Sequence, residues 1–293
     1  MQAAADAAGS QQHPTHTLYV VATPIGNLAD ISLRALHVLG LVDAIACEDT
    51  RHTRQMLQAY GLERPPEQLL ALHQHNEMEA AQMVLARLAQ GQRVVYVSDA
   101  GTPAISDPGA RLVQAVRAAG HRVLPLPGAS SVTTVLSAAG VAGSGFVFHG
   151  FLPSKASERE QAITALAQEN RAVVLLEAPH RIAALAQALS ALRERAVTVG
   201  RELTKQFEQI VTVSAQDLPR WLKERPEHQR GEFVLVLHER AAFATQNEGE
   251  GDRVLRCLLA ELSLKTAVRL AAEISGEPRN ALYERALALK PAD

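Results

Sequence analysis

Cysteine and long apolar stretches are scarce in this chain of 293 residues. The two cysteines, Cys47 and Cys257, are far apart and form no Cys-x-x-Cys pair, which excludes a disulfide scaffold and a cysteine-based zinc site. No apolar run reaches the roughly 18 residues that a membrane-spanning helix needs. The first 17 residues lack the basic start and the apolar core of a signal peptide. We therefore expect a disordered tail at 1–17 and a cytoplasmic protein.

Aromatic residues and net charge are also low. Phe, Trp and Tyr make up 4% of the chain, whereas hydrophobic residues as a whole make up 47%, so aliphatic side chains must build the packed cores. The formal net charge is -2. A protein that coats nucleic acid over a large surface is expected to be basic. This charge argues against an extensive phosphate-binding surface but leaves room for a local one.

Short apolar runs alternate with helix-period segments through the first half of the chain. The runs are nearly continuous, which is typical of parallel strands buried on both faces. In the second half some predicted strands follow each other closely, which favours a mixed sheet. The predicted strands are 18–23, 42–47, 68–73, 93–98 and 121–126 in the first half, and 146–151, 172–178, 196–202, 206–214 and 232–239 in the second.

The chain is therefore predicted to be an α/β protein of two domains with a small helical extension. The parallel sheet is assigned to 18–145 and the mixed sheet to 146–240. Residues 241–251 are small, polar and acidic, as in a linker. The last segment, 252–293, contains three short helical patterns. These fit either a helix-turn-helix or a helical tail that docks on the second domain.

The loops that follow the strands carry the candidate site, because parallel sheets bind ligands at the carboxyl ends of their strands. The loop at 23–27 has one glycine, Gly26, and lacks the Gly-x-Gly-x-x-Gly of dinucleotide binding, which disfavours a nicotinamide oxidoreductase. The loop at 98–109 is longer than a plain connection and rich in Asp, Gly, Pro and Ser, which favours a functional loop. At its end, Asp107 is predicted to cap the next helix and Pro108 to begin it.

Two further loops place small or charged residues at the same edge. Residues 127–131 open a helix with small side chains, so its first N–H groups face a ligand. Residues 177–181 combine an acid, an imidazole and a guanidinium where a strand meets a helix. We expect this second loop to face a cleft between the domains.

Charged residues also follow the second and third strands. The segment 48–54 begins with acids that suit a helix N-terminus, whereas Arg51, His52 and Arg54 lie at the ligand edge and favour a functional role. Asn76 is expected to cap the helix after the third strand. Two histidines without a third ligand do not predict a metal site. The polar residues after the third strand are His73, His75, Asn76 and Glu77.

Nine ordered segments resemble the tetrapyrrole methylase superfamily, also called class III methyltransferases. They extend from about residue 18 to 238, and the C-terminal helices resemble the small extension of the same superfamily. More narrowly, they are similar to its branch that methylates the RNA of the small ribosomal subunit. The segments are ATPIGNL, ACEDTRHTR, HQHNE, SDAGTPAISDPG, LPGASS, FHGFLP, EAPHR, GRELTKQFE and GEFVLVL.

This resemblance implies two α/β domains with S-adenosylmethionine bound in the cleft between them. It also implies a homodimer that methylates the ribose 2′-oxygen of a cytidine in the decoding region of 16S rRNA, with the small ribosomal subunit as partner. No metal is implied, because the cofactor brings its own leaving group. The implied cofactor-binding residues are Pro24, Gly26, Asp99, Ala100, Gly101, Thr102, Pro103, Gly128, Ser130, Ser131, Leu176, Glu177 and Ala178.

A ribose hydroxyl is a very weak acid, so methyl transfer to it needs a base or a cation that stabilises the developing alkoxide. The residues assigned to these roles are Glu48, His52, Arg201 and Lys205, with Glu177, His180 and Arg51 as further candidates. Contacts to the RNA are assigned to Arg51, Arg54, His75, Asn76, His180 and Arg181. Two alternatives stay open: a methyltransferase of tetrapyrrole or corrin rings, and a non-catalytic RNA-binding assembly factor.

Overall fold

The computed structural model describes residues 2–73, 76–106, 108–143, 145–240 and 250–289. In this part of the chain, two β-sheets with flanking helices are followed by three C-terminal helices. No described helix is both long enough and apolar enough to cross a lipid bilayer.

The first sheet has five parallel strands in the order β3-β2-β4-β1-β5. Alternate side chains enter two separate cores, one on each face, which explains the nearly continuous apolar runs. The parallel sheet predicted for this half is confirmed. Its strands are β1 (Thr17–Val21), β2 (Ala44–Cys47), β3 (Leu69–Ala71), β4 (Arg93–Val97) and β5 (Arg122–Leu126). The helices between them are α2 (Leu33–Leu41), α3 (Thr50–Ala59), α4 (Glu77–Ala89) and α5 (Ala110–Ala118).

The second sheet has the order β6-β7-β10-β8-β9. Its β6–β7 pair is parallel and the other pairs are antiparallel, so the predicted mixed sheet is also confirmed. The strands are β6 (Phe146–Phe151), β7 (Ala172–Glu177), β8 (Ala196–Arg201), β9 (Gln209–Ser214) and β10 (Phe233–Leu237). The helices on one face are α7 (Ala156–Leu166), α8 (Ile182–Leu189) and α9 (Leu218–Glu224).

Helix α6 (Ser131–Ala139) joins the two halves. It begins directly after the carboxyl end of β5, and its Val132, Val135 and Ala139 pack on the other face of the second sheet. The packing is close, because a Cβ on Gly200 of β8 would lie 2.9 Å from Val135 Cγ2. The N-terminus of α6 therefore lies where the first sheet's ligand edge meets the second sheet.

The N-terminal segment corrects the expected disordered tail at 1–17. Residues Gln2–Ala8 form a helix, α1, whose Ala4 and Ala8 are buried and which packs on α2. Alanine has the highest helix propensity, and its small side chain permits close packing. The segment lacks the large apolar residues from which sequence periodicity is recognised, so its structure was not predicted.

Helix α5 begins later than expected, immediately after Gly109. Pro108 precedes the helix, and Asp107 lies outside the described residues. Among the described residues, a distant side chain caps the helix: Glu77 Oε1 accepts hydrogen bonds from the N–H groups of Gly109 at 2.9 Å and Arg111 at 3.2 Å. The first residue of α4 therefore stabilises the start of α5.

The last three helices share a small core of their own. They are α10 (Glu250–Leu259), α11 (Leu264–Ser275) and α12 (Arg279–Leu289). Leu255, Val268, Ala271, Leu282 and Ala286 form that core. The linker predicted at 241–251 lies mostly outside the described residues.

Candidate functional site

Hydrogen bonds join the loops that follow β1, β4 and β5. Thr23 and Gly101 exchange backbone hydrogen bonds of 2.9 and 3.0 Å, and Thr102 Oγ1 donates to the Ala129 carbonyl at 3.1 Å. Three loops that are far apart along the chain therefore form one continuous surface at the carboxyl edge of the first sheet. The long loop after β4 lies in the middle of this surface, bonded to the loops after β1 and β5.

The loop after β2 is attached to the same surface. The Asp49 N–H donates to Asp99 Oδ1 at 3.1 Å, so the predicted ligand group of Asp99 holds the neighbouring loop. Asp49 in turn caps α3 by accepting from the N–H groups of Arg51 and His52. The hydrogen bond from the Arg51 side chain lowers the pKa of Asp49 to about 2. The carboxylate is therefore ionised throughout the physiological range.

A cleft of about 650 Å³, counting the space open to solvent, lies between this edge and the second sheet. Six of the predicted cofactor-binding residues line it: Ala100, Gly101, Thr102, Ser130, Ser131 and Leu176. Sequence reasoning missed a second group of lining residues, Ile25, Ile105, Leu203, Glu232 and Val234. Most of that group are apolar, and from sequence they are indistinguishable from ordinary core residues.

The remaining predicted cofactor residues stand beside the cleft instead of lining it. Gly26 touches the second domain, since a Cβ there would lie 2.5 Å from Lys205 Cγ. Gly128 packs on Ala22, with a Cβ distance of 2.9 Å. These two glycines permit close approach of the chain to itself, whatever binds in the cleft. The residues of this group are Pro24, Gly26, Asp99, Pro103, Gly128, Glu177 and Ala178.

Glu177 and Arg181 pair with each other away from the cleft. Successive residues of a strand point to opposite faces, so Leu176 lines the cleft while the Glu177 side chain points to the other face of the sheet. The Glu177 carboxylate is 3% exposed and forms an ion pair of 3.0 Å with Arg181 Nε. The Arg181 guanidinium also donates to the Leu152 carbonyl and to Ser154 Oγ. This pair stabilises the start of α8 and the loop after β6.

Arg201 is turned to the same far face of the second sheet. Its neighbour Gly200 faces α6, whereas the Arg201 side chain is 7% exposed and bonded elsewhere. Nε donates to the Arg230 carbonyl at 2.8 Å, and Nη1 donates to the Phe207 carbonyl and to Gln209 Oε1, both at 3.1 Å. The structure therefore separates Arg201 from the cleft to which it was assigned.

Lys205 lies beside the cleft, held between two acids. Its Nζ is 2.9 Å from Glu202 Oε1 and 3.3 Å from Glu232 Oε2, and Glu232 lines the cleft. Burial works to lower the pKa of Lys205, but the hydrogen bonds and charges of the two carboxylates outweigh it and raise the pKa. Lys205 is therefore a fixed cation and is unsuited to act as a base.

The other predicted catalytic and RNA-binding residues lie along the same edge. Glu48 is half-buried directly after β2, and His52 and Arg51 are exposed on the first turn of α3 with the half-buried Arg54. Asn76 does not cap α4 with its side chain. Its amide closes the preceding loop, accepting from the His73 N–H at 2.8 Å and donating to the Ala71 carbonyl at 2.9 Å.

Two further predictions concern residues near these loops. His180 is exposed in the turn between β7 and α8, and His75 lies outside the described residues. Within the ranges that the structure describes, no group of three or more His, Cys, Asp or Glu side chains is arranged to hold a metal ion.

The family described as Tetrapyrrole (Corrin/Porphyrin) Methylases matches residues 17–219, more than half of the sequence. The chain belongs to the tetrapyrrole methylase family. A second family, described as the RsmI C-terminal HTH domain, matches residues 245–290 and thus the three C-terminal helices.

Similar proteins cover nearly the whole of this tetrapyrrole methylase. A protein of Escherichia coli O157:H7 named ribosomal RNA small subunit methyltransferase I is 47% identical over 272 residues, which cover 92% of this chain and 94% of that protein. A protein of the same name from Pseudomonas aeruginosa is 46% identical, with 92% and 96% covered.

Solved structures share the fold at low sequence identity. Diphthine synthase superposes with a TM-score of 0.58 at 15% identity, covering 76% of this chain and 90% of that one. Uroporphyrin-III C-methyl transferase from Thermus thermophilus, complexed with S-adenyl homocysteine, gives a TM-score of 0.51 at 15% identity, covering 75% and 96%. At these identities the comparison establishes the fold alone.

Proposed function

We propose that this chain is an S-adenosylmethionine-dependent methyltransferase that acts on the ribose 2′-oxygen of a cytidine in the decoding region of 16S rRNA. The cleft between the two sheets carries the proposal, in a chain whose relatives named for small-subunit rRNA methylation match over 92% of its length. A neighbour of the same fold was solved with S-adenyl homocysteine, the product that remains after methyl transfer. The proposal includes a homodimer, the small ribosomal subunit as partner and a cytoplasmic location.

The residues of the cleft suit this cofactor. Ser130 occupies the N-cap position of α6 without a side-chain hydrogen bond, so the first N–H groups of the helix remain available to acceptor atoms of a ligand. Gly101 has φ of 79°, which lets the loop after β4 present its backbone to the cleft.

Bound S-adenosylmethionine supplies a methyl group on a sulfonium that leaves as a neutral thioether. The apolar side chains of Ile25, Leu203 and Val234 exclude water from that part of the cleft. Lys205, held beside the cleft by Glu202 and Glu232, is the cation to which we assign stabilisation of a developing alkoxide, which would compete with the two carboxylates for its N–H groups. Glu48 and His52 remain the candidates for taking up the ribose proton, because both lie at the carboxyl edge of the first sheet.

Two residues receive other roles in this proposal. Arg201 points to the far face of the second sheet, so Lys205 is the cation that we assign to the reaction. The Glu177 side chain is engaged by Arg181, so the end of β7 would contact the cofactor through its backbone. The first turns of α3, with Arg51 and Arg54, provide a local basic surface for RNA next to the cleft.

Methyl transfer to ribosomal RNA tests the proposal. Purified protein is incubated with labelled S-adenosylmethionine and small ribosomal subunits that lack the modification, and the methylated nucleotide is mapped by nuclease digestion and mass spectrometry. We expect one methyl group on the ribose of one decoding-region cytidine. Transfer to a uroporphyrinogen but not to RNA would support the ring methyltransferase instead, and absence of cofactor binding in calorimetry would support a non-catalytic RNA-binding factor.

A matched pair of lysine variants tests the role of Lys205. Lys205→Met removes the cation beside the cleft, and we expect a lower kcat with little change in cofactor affinity. Lys223→Met removes an exposed lysine at the end of α9 and serves as the control. Equal kcat values for the two variants would remove Lys205 from the reaction.

A further inference from the structure

We propose that a groove on the far face of the second sheet binds an unstacked nucleotide of the RNA substrate. Phe207, Arg225, Arg230 and the buried Arg201 line this groove, whose volume is about 1020 Å³ when the space open to solvent is counted. None of these residues lines the cleft. The inference rests on the proposed function and adds to it an anchor for single-stranded RNA outside the reaction site.

Phe207 exposes its side chain to solvent from a backbone that hydrogen bonds hold in place. Its side chain is 69% exposed, while its carbonyl accepts a hydrogen bond from the buried Arg201 at 3.1 Å. The preceding turn is braced by Glu208, whose Oε2 accepts from the Thr204 N–H at 2.6 Å. Glu202 and Thr204 have positive φ of 51° and 65°, and such strained backbone is retained where its surroundings enforce it. An aromatic side chain has only two side-chain torsions, so it loses little conformational entropy when it binds a ligand.

The positive charges of the groove arginines are only partly compensated. Arg225 and Arg230 are exposed and form no ion pair with any described residue. The buried Arg201 uses Nε and Nη1 in hydrogen bonds, and within the described ranges no acceptor is bonded to its Nη2. Glu208 and Glu227 also line the groove. Three guanidinium groups against two carboxylates, one of them bonded to backbone, leave the groove with a positive excess.

These features match the chemistry of an unstacked nucleotide. Single-stranded RNA is held by stacking of bases on aromatic rings and by arginine contacts to phosphate. The groove offers both within one concave surface, and its local positive charge contrasts with the chain's net charge of -2. A protein partner could contact the Phe207 ring, but only an acidic partner would also offer acceptors to the unpaired arginines.

Trp221 supplies a direct signal from this groove. It is the single tryptophan of the chain, and its ring stacks on His228 with centroids 4.1 Å apart. His228 lines the groove, so a bound base changes the surroundings of the stacked pair and therefore the tryptophan fluorescence.

The test titrates the full-length protein with a short single-stranded oligonucleotide of the decoding-region sequence. Phe207→Leu keeps an apolar side chain but removes the ring, and we expect binding to weaken roughly 5- to 150-fold, as for one lost base stack. Phe207→Tyr restores the ring and is expected to restore binding. Phe146→Leu changes another exposed phenylalanine, on the edge strand β6, and is expected to leave binding unchanged.

Kinetics and salt dependence separate the groove from the cleft. With small ribosomal subunits as substrate, Phe207→Leu is expected to raise KM and to leave kcat at saturation unchanged. Arg225→Gln and Arg230→Gln are expected to lower the slope of log affinity against log salt by about 0.7 for each lost phosphate contact. Arg220→Gln, on the exposed surface of α9, serves as the control.

Three outcomes would overturn the inference. If the native protein methylates rRNA while Phe207→Leu binds the oligonucleotide and the subunit as well as the native protein does, the groove is no RNA site, and the proposed function stands. If Phe207→Leu instead turns a homodimer into monomers in sedimentation, with the affinity of each chain for RNA retained, the groove is a protein interface. If the native protein neither binds nor methylates RNA, the proposed function and the inference fail together.

Discussion

Substitution of Gly26 by alanine tests the contact that brings the two domains together at the cleft. An added Cβ would lie 2.5 Å from Lys205 Cγ, 2.8 Å from Thr204 Oγ1 and 2.9 Å from the Leu203 carbonyl oxygen. The lysine methylene can rotate away, but the carbonyl belongs to the backbone of a turn in which Thr204 has φ of 65°. That oxygen would have to move about 0.5 Å, from 2.9 to 3.4 Å, to reach an ordinary contact.

The free energy lost on substitution depends on which part of the structure moves to relieve this contact. Overpacking of this kind costs about 1–3 kcal/mol. Leu203 lines the cleft, so we expect much of the cost to appear as weaker cofactor binding. A loss of 1–3 kcal/mol corresponds to roughly 5- to 150-fold in Kd. Calorimetric titration with S-adenosylmethionine measures the affinity, and urea unfolding measures the part of the cost that falls on stability.

Gly145→Ala is the matched control, because a Cβ at Gly145 meets no atom within 4 Å and its φ is not positive. It should bind the cofactor and unfold as the native protein does. If Gly26→Ala matches this control within twofold in Kd and shows the same urea midpoint, the contact between Gly26 and the second domain does not shape the cleft.

Three smaller changes test the surrounding framework. The Arg51 side chain lowers the pKa of Asp49 to about 2. The Asp49 carboxylate therefore stabilises the fold above its ordinary pKa, and this stabilisation is lost as the pH falls through 2. Arg51→Gln should raise the pKa of Asp49 in an NMR titration. Glu77→Gln weakens the cap of α5 and should lower the free energy of unfolding by about 1 kcal/mol in urea. Arg181→Met leaves the buried carboxylate of Glu177 without its partner and should lower the free energy of unfolding by about 3–5 kcal/mol. Adding Glu177→Gln should recover part of this loss. Equal stability of the single and double variants would contradict the ion pair.

The layout of both sheets could be predicted from local patterns. Strands buried on both faces show nearly continuous apolar runs, and the run predicted at 93–98 is the strand Arg93–Val97. In the second half, β8 and β9 are separated by too few residues for a crossover helix, which requires an antiparallel pair. Because the first sheet is parallel, the loops with small and polar residues had to meet at one edge.

Other features depend on contacts that leave no local pattern. Glu77, which caps the start of α5, is 32 residues away from Gly109 in the chain, so no local pattern predicts this contact. The apolar cleft residues Leu203 and Val234 are of the same residue types as those that fill a core. Only the packing of α6 on the second sheet places Val234 at the cleft.

Strand alternation also divides the chemistry of the second domain between two faces. Leu176 lines the cleft while Glu177 points away, and Gly200 faces α6 while Arg201 borders the groove. A run of polar residues at the end of a strand therefore cannot serve one site alone. The turn at 202–208 reaches both faces, with Leu203 in the cleft and Phe207 in the groove. If RNA binds in the groove as proposed, the turn at 202–208 lies between the anchored base and the cleft, so its backbone would set the distance from that base to the proposed reaction site.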